Sequence, residues 1–329
     1  MSESRTMTDP NSKVPDEERW ARDVLGKLAM AAVTEQRRAR RWGIFFKLVF
    51  LAYFLVLLAL VWPDNLGQAA RSAKSHTALV RVGGLITSSS STASAKNITE
   101  ALRKAFADKN TVGVILEINS PGGSPVQAGE IYDEIQRLRQ AHPKIPVHAV
   151  VGEVCASGGY YIAAAAQNIY VNKASIVGSI GVRMDSFGFT DAIAKLGIER
   201  RAYTAGENKD FLDPFKPVRP EEVQHLQGML DQIHQQFVAV VQQGRGERLK
   251  GGRELFSGLV WTGEQSVDLG LVDALGSTRY VAEEVIGEKN LVDYTQRTRL
   301  MDRLFDGVES QLGAALREGL GLDERFGWR

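Results

Sequence analysis

"EVCASGGYYIAAAA", residues 153–166, carries a run of small and apolar residues through a serine and two glycines into an alanine-rich stretch. The residues before it, "IPVHAVVGEVCA" (145–156), are too continuously apolar for a strand with one wet face. Glycines directly after such a run end it, and the alanines that follow favour helix. The same order occurs upstream, where "TVGVILEIN" (111–119) leads into the turn "SPGGS" (120–124) and a helical pattern over roughly 125–140. Buried strands separated by helices call for crossover connections, so the expected fold is α/β, a sheet with helices packed on it.

Working outward, "TALVRVGGLI" (77–86) reads as a β-rich run, followed by a Ser-rich loop. "NITEALRKAF" (97–106) is expected to open a helix at Asn97, with Glu100 completing a capping box. Beyond "GSIGV" (178–182) comes a short helix at "TDAIAKLG" (190–197). A long helix begins near Pro220, with Val223, Leu226, Leu230, Ile233, Phe237, Val240 and Val241 on one stripe, expected to be core or subunit interface. No internal repeat is visible.

Composition removes several function classes. Of the 329 residues 44% are hydrophobic and 24% charged, the balance of a folded chain, and the formal net charge is +1. No basic patch interleaved with aromatics is present, so no nucleic-acid partner is expected. Cys155 is the single cysteine and the five histidines are scattered, so no disulfide, metal centre or cofactor is expected. One segment departs from this pattern. "GIFFKLVFLAYFLVLLALVW" (43–62) holds one charge, Lys47, in twenty residues. As a helix it would match the roughly 30 Å hydrocarbon core of a bilayer. Arg37, Arg38, Arg40 and Arg41 precede it, placing residues 1–42 in the cytoplasm and the rest of the chain across the membrane.

The two glycine turns are the candidate chemistry. Each follows a buried strand and precedes a helix, where backbone N–H groups lack intrahelical partners and can hold an anion. Ser157 beside such donors would supply a nucleophile and an oxyanion site, the two needs of acyl transfer. The hydroxyl also needs a base. His148 or His225 could serve, though neither has a local motif, and so could a lysine whose pKa burial lowers from about 10.4 toward 7 or 8. Lys173, Lys195, Lys209, Lys216 and Lys250 follow Ser157, and periodicity does not choose among them.

"SPGGS", "CASGGYYIAAAA", "GSIGV" and "YTAGENKDFLDPF", in that order behind one apolar anchor, resemble the bacterial signal peptide peptidase A family of serine peptidases, over about residues 77–285. The resemblance implies the Clp-protease/crotonase fold, with Ser157 as nucleophile and Lys209 as general base. It also implies that Ser179 orients the lysine and that Gly123, with Gly122 and Gly158 beside it, forms the oxyanion hole. Peptide substrates, remnants of signal peptides, are implied as well, and so is a location at the bacterial inner membrane with the catalytic domain outside the cytoplasm. Double-length members carry two copies of the domain. With one copy here, the resemblance implies a ring-shaped homo-oligomer in which Ser157 meets Lys209 of a neighbour. Ser124 departs from the family pattern, which often has a third glycine there. A related Ser-Lys peptidase with another substrate, a crotonase-like acyl-CoA enzyme and an inactive membrane-attached scaffold are the competing readings. The expected organisation is a cytoplasmic tail (1–42), a transmembrane helix (43–62), a linker (63–76), a peptidase domain (77–290), and a C-terminal strand and amphipathic helix (291–329).

Overall fold

The computed structural model describes residues 16–61, 72–90 and 92–296. They fall into two units, Met1–Asn65 and Leu66–Arg329. The described part of the first is a single helix, α1 (Asp16–Val61), which runs without interruption through the arginine cluster into the apolar segment. Phe45, Phe46, Leu48 and Phe50 are all exposed on it. Among the described residues no helix is long and apolar enough to cross a membrane. Trp62, the last residue of the expected span, lies outside those residues, as do most of the linker and the expected C-terminal helix.

The second unit is built on an eight-stranded sheet. Its strands are β1 (His76–Gly83), β2 (Thr111–Ser120), β3 (Val147–Ala156), β4 (Asn168–Val171), β5 (Ile176–Gly178), β6 (Val260–Thr262), β7 (Ala274–Leu275) and β8 (Leu291–Asp293). The main path runs β6-β5-β3-β2-β1-β8, and every pairing is parallel except β5 with β6. Strand β3 shares one edge between two partners. β4 pairs with its first half, at His148–Val150, and β5 with its last three residues, Val154–Ala156. The chain therefore delivers β5 beside the point where β3 ends.

Parallel strands need covered faces, and the side-chain alternation provides them. Ala78, Val80 and Val82 of β1, with Val147, Ala149 and Val151 of β3, face the main core under α2 (Ala95–Ala107), α3 (Pro125–Ala141) and α4 (Gly158–Ala163). Leu79, Ile115, Val150 and Tyr170 point the other way, onto Val281 and Ala282 of a π-helical segment, Val281–Ile286. The alanines after Ser157 are small because a helix lies on them. A Cβ added to Gly244 would stand 2.2 Å from the Ala164 carbonyl oxygen, so α6 (Pro220–Arg245), which follows the short α5 (Thr190–Lys195), can approach there only with glycine at 244.

One expectation is corrected. Helix α2 starts at Ala95 because Ser94, not Asn97, is its cap, accepting the Asn97 N–H at 3.4 Å. Glu100 pairs instead with Lys104, one turn on, at 2.8 Å. The stripe of α6 is not covered throughout: Phe237 and Val241 are buried, whereas Val223 is exposed. The C-terminal half of that helix packs on the core next to Tyr161.

Candidate active site

The sheet's geometry brings the two glycine turns together at the carboxyl ends of β2 and β3, the edge where open parallel sheets bind ligands. Ser157 sits between β3 and α4 with φ 51° and ψ −124°, a conformation that side chains adopt at a cost of about 1–3 kcal/mol. Two backbone bonds hold it there. Its N–H donates to the Gly178 carbonyl at 2.9 Å, and its carbonyl accepts the Tyr161 N–H at 3.0 Å. The first bond extends the β3–β5 pairing by one residue, so β5 fixes the serine's backbone.

The "SPGGS" turn lies against this serine. A Cβ on Gly122, whose φ is 102°, would come 2.6 Å from Ser157 Cβ, so only glycine allows the approach. A Cβ on Gly123 would meet the Ile86 carbonyl oxygen at 2.2 Å, because the chain beyond β1 crosses here. The crossing is held by Ile86 N–H to Gly122 O and Ser124 N–H to Ile86 O, both 2.8 Å. A Cβ built on Gly158 would be 3.4 Å from the Gly123 nitrogen, which puts Gly123 and Gly158 side by side. Neither their N–H groups nor the Ser157 hydroxyl has a hydrogen-bond partner among the described residues.

Gly122 differs from these two. Its N–H donates to Ser120 Oγ at 3.1 Å, and that hydroxyl in turn donates to the Gly84 carbonyl at 2.6 Å. A donor already bonded inside the turn is not available to an oxyanion. Gly122 therefore shapes the turn, while Gly123 and Gly158 are the pair left open. Ser120 and Ile86 are the residues that sequence reading missed. A hydroxyl two positions before the first glycine was the available signal for Ser120, and nothing local marked Ile86.

Ser179 also has positive φ, 52°, with its N–H bonded to the Leu259 carbonyl at 2.6 Å. It follows Gly178, the residue that holds Ser157, so the two serines lie on adjoining strand ends. His234 donates to or accepts nothing at Ser157; its Nε2 lies 3.3 Å from the Ile180 carbonyl oxygen. His225 stacks edge-on against Phe211, and His148 is buried against Tyr170, with burial and Arg139 lowering its pKa. Cys155 is buried, and burial pushes its thiol pKa up. Among the described residues no cluster of acidic, histidine or cysteine side chains could hold a metal.

Lys209 shares no hydrogen bond with Ser157 among the described residues. It is exposed, in a turn closed by its N–H to the Gly206 carbonyl at 3.2 Å, and its amine makes no hydrogen bond or ion pair among the described residues. The surrounding segment is nevertheless ordered by its own contacts. Arg200 pairs with Asp213 at 2.9 Å and lies over the Phe215 ring, while Asp210 is paired with Lys216. Apolar side chains on this arm face outward, Phe187 at 75% exposure and Tyr203 at 91%.

Comparison with known proteins bears on the same residues. The Clp protease family model matches residues 68–177, from before β1 into β5, and the Peptidase family S49 model matches residues 139–292. A Synechocystis protein named only as a protease is 32% identical over 275 residues, covering 82% of this chain and 94% of that one. The chain belongs to peptidase family S49, the signal peptide peptidase A family. Its core is the Clp-protease-like α/β fold that the motifs implied. Protease 4 of Haemophilus influenzae is 31% identical over 243 residues, 73% of this chain and 38% of that protein. A Brucella abortus protein named Na(+)/H(+) antiporter NhaA is 41% identical over 263 residues, and the match spans 76% of this chain but only 36% of that longer protein.

Proposed function

We propose that this chain is a membrane-anchored serine endopeptidase of the bacterial inner membrane that degrades remnant signal peptides through an acyl-enzyme. The observation that carries the reading is the elbow at Ser157, whose strained backbone presents a hydroxyl beside two unoccupied N–H groups, those of Gly123 and Gly158. Ser157 Oγ attacks the scissile carbonyl, and the two N–H groups receive the oxyanion that forms. The leaving amine departs with a proton, and water then attacks the ester to free Ser157. Residues 43–62 anchor the chain with its N-terminus in the cytoplasm and the catalytic unit outside.

The proton must pass to a base, and Lys209 is that base in trans. An ammonium becomes a base only where burial disfavours its charge. The Lys209 side chain is exposed on the single chain, so its burial comes from a second subunit seated on the apolar arm that carries it. A heterologous, head-to-tail contact of this kind closes into a ring when the rotation allows.

Mixing two inactive proteins tests the arrangement. Ser157→Ala and Lys209→Ala proteins, co-assembled in equal amounts, should regain about a quarter of wild-type hydrolysis of a synthetic signal peptide, since one neighbour pair in four then holds both residues. No recovery in oligomers verified to be mixed would refute the shared site.

A further inference from the structure

Ser120 closes β2, is fully buried, and joins three segments of the fold. A backbone carbonyl can only accept a hydrogen bond and a backbone N–H can only donate one. The two bonds on Ser120 Oγ therefore have a fixed sense. The hydroxyl proton goes to the Gly84 carbonyl at 2.6 Å, and the oxygen receives the Gly122 N–H at 3.1 Å. Gly84 belongs to the chain leaving β1, and Gly122 to the glycine turn. The backbone of Ser120 meets the third segment: it pairs with Cys155 at the end of β3, and a Cβ built on Gly159 would stand 2.9 Å from its carbonyl oxygen.

These contacts bear on the direction of the next peptide plane. The Gly122–Gly123 peptide is trans, so its C=O and N–H point opposite ways. Its carbonyl accepts the Ile86 N–H at 2.8 Å, which turns the Gly123 N–H the other way, beside Gly158. Gly122 itself, at φ 102°, has no side chain to hold its conformation. Ser120 Oγ holds the N–H on one side of that residue and Ile86 the carbonyl on the other. Without the hydroxyl, the plane is pinned at one end only.

We propose that Ser120 is the positioning residue of the oxyanion site, its hydroxyl fixing the angle at which the Gly123 N–H meets the substrate carbonyl oxygen. The proposal rests on the reading of Ser157 as nucleophile and Gly123 as donor. Ser120 touches no reacting atom, so its effect is confined to how well that donor is aimed. Aim counts most when the oxygen becomes charged.

Peptide hydrolysis by assembled Ser120→Ala protein tests it. The kcat should fall by about 10- to 100-fold, with KM within about twofold of wild type. A peptide aldehyde, which adds to the serine as a hemiacetal and lays its oxygen toward the same donors, should lose affinity by a similar factor. Ser120→Cys keeps the space filled with a weak hydrogen bonder and should reproduce both effects, which covers an alanine protein that folds poorly. Ser266 is the control: it is equally buried and donates to the Thr262 carbonyl at 2.7 Å, and Ser266→Ala should leave kcat unchanged. Either Ser120 variant with kcat within about threefold of wild type overturns the proposal. So does a lowered kcat with aldehyde affinity unchanged. Ser157→Ala, assayed alongside, separates the two failures. Hydrolysis by it at the wild-type rate brings down the nucleophile reading along with the proposal, whereas an inactive Ser157→Ala beside a fully active Ser120→Ala brings down the proposal alone.

Discussion

Replacing Gly123 by alanine puts the proposed oxyanion donor under a load that the structure lets us size. The added Cβ would stand 2.2 Å from the Ile86 carbonyl oxygen and 2.8 Å from the Ile86 nitrogen. Carbon and a carbonyl oxygen rest in contact at about 3.3 Å, so roughly 1 Å of relief is needed. It cannot come from a flexible side chain, because both obstructing atoms are backbone and the Ile86 N–H and carbonyl are bonded to Gly122 and Ser124. The φ of +147° is a second obstacle for any side chain. The turn must shift, and a displacement of about 1 Å at a reacting centre costs on the order of 100-fold, comparable to the 100- to 1000-fold loss of one oxyanion donor. Overpacking should cost a further 1–3 kcal/mol or so of stability, which leaves a folded protein to assay. The expected result for hydrolysis of a fluorogenic peptide by the assembled enzyme is therefore a kcat at least about 100-fold below wild type, with KM changed far less. Gly129→Ala is the control: its Cβ would meet nothing within 4 Å on α3, so activity should hold. A Gly123→Ala protein with kcat within about threefold of wild type would refute the reasoning.

Two further expectations concern the scaffold. Glu134 accepts hydrogen bonds from Arg137 and Arg103, which hold its pKa at about 2 against the ordinary 4.5, so its contribution is complete above pH 4.5 and disappears as pH falls through about 2. Chemical denaturation between pH 5 and pH 2 should show a shallower loss of stability for Glu134→Gln than for wild type; identical slopes would mean the ion pairs contribute nothing. Arg245 is buried and forked onto Asp273 by bonds of 2.7 and 3.1 Å, with Arg248 on the same carboxylate at 3.0 Å. Asp273→Ala should lower stability by about 3–5 kcal/mol by stranding a buried guanidinium, measured as the denaturation midpoint, and a loss below about 1 kcal/mol would contradict that.

The strands that build the site were legible because β2 and β3 are buried on both faces and so read as unbroken apolar runs. β6, β7 and β8 have two or three residues each, too few for any period to show. The start of α2 was misplaced because Ser94 and Asn97 are both good caps, and only the path of the chain from the Ser-rich loop decides between them. In the site, residue types and glycine spacing pointed to Ser157 and the two turns. They could not show which glycine N–H is spent on Ser120, since that depends on φ values rather than on composition. Lys209 was beyond periodicity altogether: six lysines follow the serine, and resemblance alone selected one. The stripe of α6 shows the related limit, because an apolar face announces that something covers it and not what does.

The central claim is that Ser157 is the nucleophile, and a covalent label reads it directly. Assembled wild-type protein treated with a fluorophosphonate and digested for mass spectrometry should carry the adduct on Ser157, with hydrolysis falling in proportion to labelling and no adduct on the Ser157→Ala protein. Full inhibition with the adduct on another residue, or undiminished hydrolysis by Ser157→Ala, would contradict the account.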